Sequence, residues 1–379
     1  MTTARADAPK RRGSVTSMRA STRANGAATR ATATRAMASP ARAAARPVGT
    51  ILGTMTFGWR HASERCDDDA SAAMLDAFAR AGHDEIDTAI AYASGETERI
   101  LGRLGAGRRA RVDTKANPWP GGVMTPSAGR GGLRANELRE QARRSAESLR
   151  ETPIRTLYLH APDADATLEE ALRECERLRA EERLFEDVGL SNFSAWETVK
   201  AHELCEKYGW KRPTIYQGMY NALTRNVEAE LVPALRATNM RFAAYNPLCG
   251  GLLTGKYKGN TDVGAVSGGR FAGNDMYQSR FWLPCYHEAV AGVVEACEKR
   301  GVAPADASLR WLYRHSALDG AKGDAVIVGA SSVSQLEANL ASAARAEPLP
   351  RDILDAFDAG WEKCRAASAP YFRGHCKII

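Results

Sequence analysis

Four residues of four different types stand at matching places in successive β-prone runs: Asp87 and Tyr92 in HDEIDTAIAY (83–92), Lys115 in ARVDTKAN (110–117) and His160 in TLYLHAP (156–162). Ionisable groups at a strand exit are costly in a core, but well placed for chemistry if the strand ends open into a cleft. As a set they describe one proton donor. A phenol with a pKa of about 10 is a poor acid near neutral pH. A nearby ammonium stabilises its phenolate, so Lys115 is expected to lower the pKa of Tyr92, with Asp87 holding Lys115 charged and in place. An imidazole beside the same oxygen, His160, orients a carbonyl or shares a proton. Singly, each residue reads as packing, an ordinary ion pair or a loop hydrogen bond. Their recurrence on successive strands is the signal.

Such a set needs a scaffold that gathers strand ends. At 379 residues, with 44% hydrophobic and 26% charged content, the chain can build one large α/β domain or two smaller ones. Eight β-prone runs follow one another at 48–58, 83–92, 110–117, 156–162, 184–194, 213–221, 241–248 and 324–332. Between them lie stretches with helical spacing of apolar residues, such as 133–151 and 167–185, and N-cap candidates at Thr167, Ser194 and Ser332. This alternation predicts an α/β fold of the (β/α)₈ TIM-barrel type in a single domain, 47–379, whose site lies at the C-terminal ends of the strands. Two long connections, 118–132 and 249–283, and a tail after Pro348 are expected over that face. No G-x-G-x-x-G follows the first strand, which argues against a Rossmann domain.

The formal charge of +7 is misleading, because the first 46 residues carry nine Arg and one Lys against a single acid, Asp7, and the remainder is close to neutral. A basic, Ala/Ser/Thr-rich segment without an apolar core reads as an organelle transit peptide over 1–46, with the chloroplast stroma ahead of the mitochondrial matrix. A basic tail that touches nucleic acid or an anionic membrane is the lesser reading. No apolar stretch is long enough to span a bilayer. The eight cysteines contain no C-x-x-C pair and read as mostly reduced thiols.

The segments LGTMTFG, TKANPW, LYLHAPD, GLSNFSAWE, YQGMYNALTR, AYNPLCGGLLTGKY and RFAGNDMYQSRFW resemble the aldo-keto reductases, most closely the aflatoxin aldehyde reductases, also described as succinic semialdehyde reductases. The resemblance covers residues 47–373. It implies NADPH-dependent reduction of aldehydes and some ketones, with Tyr92 as general acid, Lys115 and Asp87 as its partners and His160 positioning the carbonyl. No metal is needed.

For the cofactor, the resemblance implies Ser191, Asn192 and Gln217 at the nicotinamide carboxamide and Tyr245 stacked on its ring. Asn246, Leu248, Gly250, Gly251 and Lys256 would run along the pyrophosphate, with Arg270 on a phosphate. Gly329, Ser331, Ser332, Gln335 and Asn339 would hold the adenosine end. Tyr277, Arg280 and Arg373, with His160, would face the substrate, and the two guanidiniums favour carboxylate-bearing aldehydes. Small neighbours, Ala91 and Ala93, would widen the pocket mouth, while GHCKII after Arg373 leaves its placing open. The expected partner is a small carbonyl compound, not nucleic acid or an integral membrane, with a homodimer left open. Rival readings are a sugar or pyridoxal-type aldehyde reductase and a non-catalytic, cofactor-sensing subunit similar to the β-subunits of potassium channels.

Overall fold

The computed structural model describes residues 46–59, 64–119, 130–259 and 262–377. The expected transit peptide and most of the 118–132 connection lie outside them. Eight strands, β1 (Gly49–Gly53), β2 (Glu85–Asp87), β3 (Arg111–Ala116), β4 (Ile154–Leu159), β5 (Phe185–Ser191), β6 (Ile215–Met219), β7 (Arg241–Tyr245) and β8 (Ala325–Gly329), pair in parallel and in chain order to close a barrel. The closing pair is β1 with β8, in register from Gly49↔Ala325 to Gly53↔Gly329. Closure leaves no unpaired sheet edge.

Helices α1 (Asp68–Arg80), α2 (Glu96–Arg103), α3 (Ala135–Leu149), α4 (Leu168–Arg177), α5 (Ala195–Tyr208) and α6 (Leu231–Ala237) follow β1 to β6 in turn. After β7 come α7 (Asp275–Phe281), α8 (Pro284–Glu298) and α9 (Pro304–Arg314). After β8 come α10 (Val333–Ala344) and α11 (Arg351–Cys364). The three expected N-caps form: Thr167, Ser194 and Ser332 accept the amides of Glu170, Glu197 and Gln335. Part of the segment after Pro348 is therefore the helix α11 rather than loop, and the 249–283 connection carries short helical turns and α7.

The strands are shorter than the β-prone runs, most of all β2, which ends at Asp87. The apolar residues beyond it, Ala89 and Ile90, are buried beneath the loop, so the pattern continues where the sheet does not. Tyr92 therefore opens a helical turn, Tyr92–Gly95, whose Ala93 and Ser94 have φ of 45° and 54°. A region that costs non-glycine residues energy thus turns the chain directly behind the phenol.

Side chains two apart on a strand share a face, and the inward faces fill the barrel in layers. One such apolar cluster holds Ile51, Tyr158, Ile215, Ala243, Ala325 and Ile327. Gly189 makes room for it, since a Cβ there would lie 2.5 Å from the Tyr158 ring. Toward the N-terminal ends of the strands, Arg155 Nε donates to Asp113 Oδ1 at 2.8 Å, and Arg241 Nη1 and Arg155 Nη1 meet Glu85 Oε1 at 3.0 and 3.3 Å. Burial alone would raise the Glu85 carboxyl, but the hydrogen bonds and charges of Arg241 and Arg155 hold it down at about 2. This ionic plug joins four strands.

All eight cysteines are free, and seven are buried. Burial raises the pKa of each of those seven, to about 11 for Cys297 and about 12 for Cys205, Cys364 and Cys376. Among the described residues no helix is long and apolar enough to cross a membrane.

Replacing Arg155 by Met strands Asp113, which is 1% exposed, without its cation. The variant should lose about 3–5 kcal/mol of stability, the usual cost of breaking a buried pair, read as a lower urea midpoint.

Candidate active site

The barrel brings Asp87 to the end of β2 and Lys115 to the same inward face of β3, where Asp87 lies in register with Asp113. Lys115 is fully buried, and its Nζ donates to Asp87 Oδ1 at 2.6 Å, to the Thr88 carbonyl at 2.6 Å and to the Tyr92 hydroxyl at 3.3 Å. From across the barrel, Gln217 Nε2 donates to the same Asp87 oxygen at 2.7 Å. His160 follows β4 and meets the Tyr92 ring edge-on, with centroids 6.2 Å apart. The four expected residues form one constellation.

Its electrostatics differ in one respect from the sequence expectation. Burial pushes the Tyr92 phenol above its ordinary value; Lys115 pulls it down, but by less, so the net shift is upward. Lys115 is raised as well: burial opposes its charge, and Asp87 and Tyr92 outweigh burial. His160 falls well below its usual pKa through burial, with Lys115 and Arg373 adding repulsion. The resting site therefore holds a protonated phenol, an ammonium and a neutral imidazole.

These groups stand at the floor of a cleft of about 510 Å³. Asp87, Tyr92, His160, Ser191, Asn192, Gln217 and Tyr245 line it, as do Asn246, Leu248, Gly250, Gly251, Lys256 and Arg270 on the β7 side, and Gly329, Ser331, Gln335 and Asn339 after β8. Asn192 donates to the His160 carbonyl at 2.8 Å and to Ser191 Oγ at 2.9 Å, and accepts from the Tyr245 hydroxyl at 2.7 Å. The Tyr245 ring is thereby held at the wall.

The residues fit a dinucleotide. Gly250 and Gly251, with φ of 68° and 102°, turn the chain without side chains, and a Cβ on Gly250 would strike Tyr277 at 2.8 Å. Arg270 stacks over Trp59, 4.8 Å from its centroid, and its Nη1 is buried with no hydrogen-bond partner among the described residues. A guanidinium with one buried N–H group left over suits a phosphate. Ser332 is not among the residues that line the cleft; as the sequence predicts, its hydroxyl caps α10, whose N-terminus stands beside Ser331 on the wall.

At the other end Tyr277 and Arg373 line the cleft, and the Tyr277 hydroxyl donates to Asn246 Oδ1 at 3.0 Å. Arg280 does not. It is packed against Tyr245 and hydrogen-bonded to it, and burial followed by the nearby Arg373 charge lowers its pKa. It stands directly behind the wall, among the cleft-lining residues Tyr245, Tyr277 and Arg373. The structure also adds Met55, Thr56 and Trp59, from the β1–α1 connection, and Met276. The available signal was positional: every strand-to-helix connection of a barrel opens on this face.

The aldo/keto reductase family profile matches residues 50–362. The chain is 45% identical to human aflatoxin B1 aldehyde reductase member 2 over 86% of its own length and 90% of that protein. It is 44% identical to human aldo-keto reductase family 7 member A3, over 86% of this chain and 97% of the relative. An aldo-keto reductase of Pseudocercospora fijiensis is 37% identical over 79% of this chain and the whole of the relative.

A His160 pKa far below the unperturbed value of about 6.5 keeps the imidazole neutral in the folded protein while the unfolded chain takes up a proton. His160 therefore withdraws stability as pH falls below that value. Side-chain NMR shifts of His160 should stay those of a neutral ring from pH 8 to 5.5. Lys115→Met, which removes one source of repulsion, should bring its titration upward.

Proposed function

Because this chain belongs to the aldo/keto reductase family, we propose that it reduces small aldehydes to alcohols with NADPH, favouring those that carry a carboxylate. The carrying observation is the buried Asp87–Lys115–Tyr92 chain at the floor of the cleft, with a neutral His160 beside the phenol.

Bound NADPH supplies a hydride for the carbonyl carbon. The chain's own residues manage the oxygen. Burial keeps the Tyr92 hydroxyl loaded with the proton that it donates to the carbonyl oxygen. As that proton leaves, the developing phenolate lies 3.3 Å from an ammonium already in place, so no reorganisation is needed at the moment of transfer. Asp87 keeps Lys115 from giving up its own charge. His160, being neutral, orients the carbonyl by a hydrogen bond without competing as an acid.

Two features support the finer parts of this reading. Arg270 carries an unpartnered buried nitrogen, and the one acid in 331–339, Glu337, pairs with Arg80 at 3.8 Å rather than being left to repel a phosphate. At the substrate end, Arg373 lines the cleft with its Nε buried and unpartnered, and forms no ion pair among the described residues. A carboxylate on the substrate supplies that partner.

Tyr92→Phe should lower kcat with 4-nitrobenzaldehyde by at least about a hundredfold, the scale of a lost general acid, while NADPH affinity by fluorescence titration stays within twofold. Retention of most of the turnover would refute the assignment of Tyr92. In steady-state assays NADPH should exceed NADH by at least about tenfold in kcat/KM, the scale of one charge-assisted hydrogen bond. Equal efficiencies would remove the phosphate role of the Arg270 region.

A further inference from the structure

Arg373 reaches the cleft from a short C-terminal segment, and the chain is fastened on both sides of it. Before it, the Tyr371 hydroxyl accepts the Ala195 amide at 3.0 Å and donates to Glu230 at 2.8 Å. At it, the Arg373 amide donates to the Asn192 carbonyl at 2.9 Å. After it, the Cys376 amide donates to Glu197 Oε1 at 2.7 Å and His375 Nδ1 lies 3.1 Å from Glu197 Oε2. The Lys377 amide then donates to the carbonyls of Asp163 and Ala166 at 3.1 and 3.0 Å.

Glu197 is the hub. Its carboxylate is fully buried and already completes the capping box of α5, where Oε2 accepts the Ser194 amide at 3.2 Å and its hydroxyl at 2.7 Å. A capping box needs one carboxylate oxygen. Here the second is given to the C-terminal segment, and the two functions meet at a single buried charge. The segment thus crosses the connections after β4 and β5, those that follow His160 and Asn192, as a strap.

We propose that Glu197 is a positioning residue for substrate choice: by fastening the chain just beyond Arg373, it fixes where that guanidinium stands over the cleft and so sets the preference for carboxylate-bearing aldehydes. This rests on reading Arg373 as the partner of the substrate carboxylate. Among the described residues Glu197 makes no hydrogen bond to Tyr92, Lys115 or His160, so it acts on substrate only through the segment that carries Arg373.

The test compares Glu197→Gln, Cys376→Pro and Arg373→Ala in the full chain, each assayed with succinic semialdehyde and 4-nitrobenzaldehyde. Cys376→Pro removes the amide that Oε1 accepts and leaves the capping box intact, which keeps the test decisive if Glu197→Gln folds poorly. Arg373→Ala should raise KM for succinic semialdehyde at least tenfold, and by at least five times the factor seen with the aromatic aldehyde. The two strap variants should raise KM for succinic semialdehyde at least fivefold, with kcat and the aromatic aldehyde within twofold. Hydrogen exchange at residues 371–377, slow in the wild type, should become fast in both. If Arg373→Ala discriminates but the strap variants loosen the segment without discriminating, Glu197 has no role in specificity. If the strap variants weaken both substrates alike, its role is structural. Should Arg373→Ala itself fail to discriminate, the carboxylate reading falls and the proposal with it.

Discussion

A positive charge with no access to water sits inside the barrel, and the architecture around it follows from keeping it there. An ammonium has three N–H donors and no acceptor. Lys115 offers them to Asp87, the Thr88 carbonyl and the Tyr92 hydroxyl, so every donor is matched. Desolvating such an ion costs several kcal/mol, which only a complete shell of this kind offsets. The shell in turn fixes three things at once: the register of β2 against β3, the course of the chain from Thr88 to Tyr92, and the lean of Gln217 across the barrel onto Asp87. A phenol held at a defined point is the by-product of solving a burial problem.

The layers of the interior divide the labour. Near the N-terminal ends of the strands, Glu85, Asp113, Arg155 and Arg241 neutralise one another and cross-link β2, β3, β4 and β7. At the other end lies the Lys115 shell, with Tyr158 in register beside Lys115 and its ring centroid 5.8 Å from the ammonium. An apolar cluster that includes Ile51 and Tyr158 fills the rest of the interior.

Much of this was legible in the sequence, for a definite reason. Asp87, Lys115 and His160 lie on or directly after strands whose apolar flanks are unmistakable, and strand alternation alone puts them on the inner face. Tyr92 was legible as a residue but not as a position, because the apolar run through Ala89 and Ile90 continues after the sheet has ended. Arg280 and Ser332 stand one step behind the cleft lining: one hydrogen-bonded to Tyr245, the other capping α10. Both outcomes depend on how the β7 and β8 connections fold back, which local spacing does not encode. Trp59 and Met55 escaped notice because nothing in their own residue types marks them, and the strap beyond Arg373 because its backbone amides reach a carboxylate and carbonyls far away in the chain.

The thiols have a chemical consequence for a protein of this family. Carbonyl compounds are electrophiles, and the soft nucleophile they find first in most proteins is a thiolate. Here burial raises the pKa of seven of the eight cysteines, which leaves them overwhelmingly in the unreactive S–H form at neutral pH. Cys249 shows the point at closest range, next in the chain to Gly250 on the cleft, yet fully buried with its sulfur turned to Asn221. The seven buried thiols are therefore poor nucleophiles toward the carbonyl compounds that enter the mouth of the barrel.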